Sequence, residues 1–137
     1  MPGDLPDYYF RIRDNGAVVF KVDTENRNRR IELVELATVN IRNGNIKPHG
    51  ETVLTPQDLA AIRDWTARRT ALLAARDIDD ILRAVDYLNT TTQWAQTKAS
   101  DDDLARVTDD LLLAMHDLRS VLVRRKAERL TKDAAAE

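Results

Sequence analysis

The chain has no cysteine, so disulfides, thiolate metal sites and cysteine nucleophiles are excluded. Histidine is nearly as scarce. His49 and His116 are the only two, they are far apart, and neither sits at metal-ligand spacing. Four glycines and four prolines in 137 residues leave long tracts with nothing to break a helix. No run approaches the roughly 18 consecutive apolar residues of a membrane span. No phosphate-cradling loop or nucleophile–base pair can be read from the residue order. Basic and acidic residues nearly balance, 21 against 23. A nucleic-acid binder driven by bulk positive charge is thereby disfavoured. The first residues, Met1 to Asp7, carry acids and prolines in place of a basic stretch leading into an apolar run, so no secretory leader is expected. These absences predict a cytoplasmic, non-enzymatic protein with no cofactor and no membrane contact.

The longest unbroken pattern is Ser100 to Leu130. Leu104, Val107, Leu111, Ala114, Met115, Leu118, Val121 and Leu122 recur every three and four residues, which at 3.6 residues per turn makes one apolar stripe. Ser100 is an N-cap, and Asp101, Asp102 and Asp103 place negative charge on the first turn. Arg124, Arg125, Lys126 and Arg129 crowd the other end. Leu112 and Val123 fall on one flank of the stripe, with His116 between them, and Leu113 falls almost opposite, so one neighbouring helix cannot cover every apolar residue.

Before it, Leu54-Thr55-Pro56-Gln57-Asp58-Leu59 marks a helix start. Thr55 is the cap, Pro56 takes the first helical position where its missing N–H costs nothing, and Asp58 at the third suits the helix dipole. The spacing predicts helices over 55–75 and 77–97, separated at Asp77, with one continuous helix as the alternative. Ile78, Ile81, Leu82, Val85 and Leu88 form a stripe on the second of these. Tyr87 and Trp94, seven residues apart, lie off it. An antiparallel hairpin of 77–97 with 100–130 is expected, its stripes facing each other and making Leu111 and Leu118 core.

Residues 1–52 read as an antiparallel meander of four to five short strands. Tyr8, Phe10 and Ile12 alternate with Tyr9, Arg11 and Arg13, then Asp14-Asn15-Gly16 interrupts, and Val18, Phe20 and Val22 alternate again. A three-residue turn there puts Phe10, Ile12, Phe20 and Val22 on one face. Asn43-Gly44 predicts a second tight turn. The fold class expected is α+β, with the meander 1–52, a helical subdomain 53–130 of three helices packed with it, and a frayed tail 131–137.

Two functions follow from these patterns. The first is a protein-interaction or assembly module that self-associates through its helical hairpin as a homodimer, or takes another protein partner. Its interface residues are Tyr87, Trp94, Leu112, Leu113, His116 and Val123. An acidic start and a basic end on one helix suit two antiparallel copies. The second is a nucleic-acid-binding or regulatory protein using Arg11, Arg13 and Lys21 of the sheet and Arg27, Arg29 and Arg30 of the following loop. Interspersed acids such as Asp14, Asp23 and Glu32 weaken that field.

Overall fold

A computed structural model of the chain describes residues 5–25 and 30–136. The architecture is α+β, with strands β1 (Tyr8–Arg13), β2 (Gly16–Asp23), β3 (Glu32–Asn40) and β4 (Ile46–Pro48) followed by helices α1 (Pro56–Thr97) and α2 (Asp101–Ala136). Two compact units divide it, Met1–Ile81 and Leu82–Glu137. Among the described residues no helix is long and apolar enough to cross a membrane.

In the first unit the strands form one antiparallel sheet in chain order. The first hairpin corrects the face assignment. Arg13 pairs with Gly16, so the loop is only Asp14-Asn15 and Gly16 already belongs to β2. A loop one residue shorter moves every side chain of β2 to the other face. Phe10 therefore lies opposite Val19, while Phe20 lies opposite Tyr9 on the reverse face with Val22. Gly16 is needed for space: a Cβ there would fall 1.8 Å from the Val39 carbonyl oxygen. The second turn follows the sequence reading. Gly44 takes a φ of 72°, and the Asn40 side chain accepts the Arg42 amide.

A register shift between Val19 and Phe20 leaves Leu36 as an extra residue in β3, beside Ala37. Leu36 and Ala37 both join a core of Ala17, Val19 and Val39, closed by Ile62 from α1. Tyr8, Phe10, Ile46, Leu54 and Trp65 pack around it. Phe10 and Trp65 stack with ring planes 1° apart and centroids at 4.8 Å. On the reverse face Phe20 is also buried, beneath the Arg11 guanidinium at 4.5 Å from its ring centroid and beside Tyr9.

The start of α1 is fixed by reciprocal hydrogen bonds. The Asp58 amide donates to Thr55 Oγ1 and the Thr55 amide donates to Asp58 Oδ2, each over 3.0 Å. No break occurs at Asp77, so the described residues form two helices and not three. Without glycine or proline, Asp77 as a cap offers too little to interrupt 42 helical residues. Thr90, Thr91 and Thr92 stay helical, each hydroxyl donating to the carbonyl four residues back. Residues 131–136, expected as a frayed tail, lie within the bounds of α2, which runs to Ala136. Alanines at 134–136 have the highest helix propensity of any residue.

Candidate interaction surface

The site is built within the second unit, at the turn between the helices and along α2. The Lys98 and Ala99 amides both donate to the Trp94 carbonyl over 2.9 Å, which closes the C-terminal end of α1. Ser100 then caps α2. Its Oγ accepts the Asp103 amide over 3.1 Å, and its amide donates to Asp103 Oδ2 over 3.2 Å. Asp103 is thus part of the cap, and Asp101 and Asp102 add negative charge to the same turn. Among the described residues no three His, Asp or Glu side chains group as metal ligands.

The hairpin faces differ from those expected. Thr91 and Trp94 of α1 and Leu104 and Val107 of α2 are half-buried against the turn. Tyr87, largely exposed, and Trp94, half-buried, both line the space beside α2. With Leu88, Thr90 and Thr91 they form one wall of an open groove of about 580 Å³, and Arg106, Val107, Asp110 and Leu111 form the other. The stripe residues Leu82 and Val85, outside the groove, are left exposed, as are Ile78 and Ile81 before them. The sequence carries the stripe but not the direction in which the chain leaves the helix, and that direction decides which face is covered.

Beyond Val107 every residue of α2 is exposed, and none of its 36 residues is buried. Leu111 and Leu118, expected as core, are 36% and 55% accessible. Of the interface residues named from sequence, Tyr87 and Trp94 line the groove, while Leu112, Leu113, His116 and Val123 are exposed on α2. The basic end carries its own local pairing, Arg124 and Arg125 both approaching Glu128 within the helix.

Arg11, Arg13 and Lys21, considered together for nucleic acid, do not share one face of the sheet. Arg11 and Arg13 share the reverse face of the sheet with Tyr9, but Lys21 pairs with Tyr8 on the core face, its Nζ 5.4 Å from that ring. The same hairpin register separates them. Arg27 and Arg29 lie outside the described residues, and Arg30 is exposed before β3. His49 follows β4, and its Nδ1 pairs with the Glu35 carboxylate.

Sequence reasoning missed the pairing of Tyr8 with Asp58. The Tyr8 hydroxyl donates to Asp58 Oδ1 over 2.6 Å, and Asp58 is itself buried. Burial acts to raise the Asp58 pKa, but the hydrogen bonds from Tyr8 and Thr55 and the charge of Lys21 outweigh it and hold the carboxyl below its usual value. Burial and the neighbouring carboxylate push the Tyr8 hydroxyl up to about 12. The available signal was the spacing Thr55-x-x-Asp58 after an aromatic strand.

No protein-family model, curated protein or solved structure matches the chain.

Proposed function

We propose that this chain is a non-enzymatic interaction or assembly module that self-associates through its helices, with a homodimer as the working unit. The observation that carries this reading is α2, 36 residues long with an apolar stripe and no buried residue. A solvated helix gains little from propensity alone, and helices in proteins are held mainly by packing of an apolar face. Contiguous exposed apolar surface of this kind marks an interaction site. The exposed residues Leu112, Met115, Leu118, Leu122 and Val123 extend it over about three turns. Nucleic-acid contact is the weaker reading, since Lys21 departs from the Arg11–Arg13 face and Arg11 is stacked on Phe20.

Light scattering on the wild type and on Leu118→Asp tests the proposal. Leu118 is more than half exposed, so the charge should leave the chain folded while desolvating a carboxylate at the interface. A multi-chain wild type and a single-chain variant are expected. A single-chain wild type would refute self-association.

A further inference from the structure

We infer that the groove at the helical turn receives α2 of a second copy, laid antiparallel to the first α2, with a twofold axis crossing at the level of Leu113 and Ala114. This rests on the self-association reading and adds its orientation and register.

Two patterns fix the same centre. The apolar stripe of α2 runs from Leu104 to Leu122, and its midpoint is Leu113. The acidic first turn, Asp101–Asp103, and the basic cluster Arg124–Lys126 are also equidistant from Leu113–Ala114. Reversal about that point therefore sets apolar on apolar and acid on base in one register. A parallel pair would set Asp101–Asp103 against themselves and the basic cluster against itself, and like charges held together are unfavourable. Glu128 offsets one of the four positive charges at Arg124, Arg125, Lys126 and Arg129, leaving that end cationic.

The groove supplies the receiving surface. It lies in the acidic half of α2, between Tyr87 and Trp94 on one side and Val107 and Leu111 on the other. In this register the exposed Leu118 and Val121 of the second copy come level with Val107. By symmetry the first copy's Leu118 and Val121 enter the second groove. The interface is isologous and closes at two chains. Large aromatics lining a receiving groove are the usual anchors of such interfaces.

The absence of cysteine makes the register testable by disulfide trapping. Val107→Cys and Val121→Cys are made separately, checked by light scattering under reducing conditions, then oxidised alone and as a mixture. In the proposed register each residue and its own symmetry mate stand about 20 Å apart along the axis, beyond the reach of a disulfide, whereas Val107 and Val121 of opposite copies are level. The mixed disulfide should dominate in the mixture, with neither variant linking to itself. Self-linkage of Val121→Cys would overturn the antiparallel orientation. A two-chain mass with no linkage in any sample would overturn this pairing of α2 while leaving self-association standing. A one-chain mass for the wild type would remove both.

Discussion

The Tyr8 hydroxyl and the Asp58 carboxylate meet over 2.6 Å and tie the first strand to the first turn of α1. Asp58 also completes the reciprocal cap with Thr55. One buried carboxylate thus receives donors from the sheet and from the helix start. Tyr8→Phe should lower stability by about 1–3 kcal/mol, because it withdraws a donor from a buried charged group. Thr55→Ala should remove about 1 kcal/mol through the cap. Denaturant midpoints of the two variants check both values.

The same pair predicts two pH dependences. Asp58 has a folded pKa below the ordinary 3.8, so its contribution is present above that value and is lost as pH falls through the folded value. Tyr8 has a folded pKa raised from 10.0 to about 12, so its contribution is present below 10.0 and is lost as pH rises toward 12. Stability profiles of wild type and Tyr8→Phe should converge at both extremes and differ most at neutral pH.

Gly16→Ala should destabilise the first unit by about 1–3 kcal/mol or more, since the added Cβ meets the backbone oxygen of Val39 and no rotamer relieves that contact. A midpoint equal to that of the wild type would show that β2 and β3 separate readily.

Trp65→Ala should cost about 3 kcal/mol, removing the ring stacked on Phe10 and opening the edge of the core. Leu111→Ala, in contrast, should act on self-association more than on the fold of one chain, because its side chain is exposed. Thermal melts at low and high protein concentration separate the two effects.

What the sequence made legible follows from where its signals are local. The caps at Thr55 and Ser100, the turn at Asn43-Gly44 and the long stripe on α2 each depend on neighbours within a few residues, and each is present in the fold. The division into sheet and helices was equally readable. Two facts depended on one residue of chain path and were not. Whether Gly16 ends a turn or begins β2 decides if Phe20 faces Phe10, and packing against Val39 settles it. Likewise the path of the chain between the helices decides that Tyr87 and Trp94, and not Val85, line the groove beside α2. Periodicity marks an apolar face without saying what covers it. An apolar stripe needs a partner, which makes Leu118 core by periodicity, but no described residue of its own chain buries it.

Sedimentation equilibrium of the wild type across micromolar concentrations tests self-association most directly. The mass should rise to twice the chain's 15.6 kDa and go no further, as a closed two-chain interface requires. A constant 15.6 kDa over the whole range would contradict it.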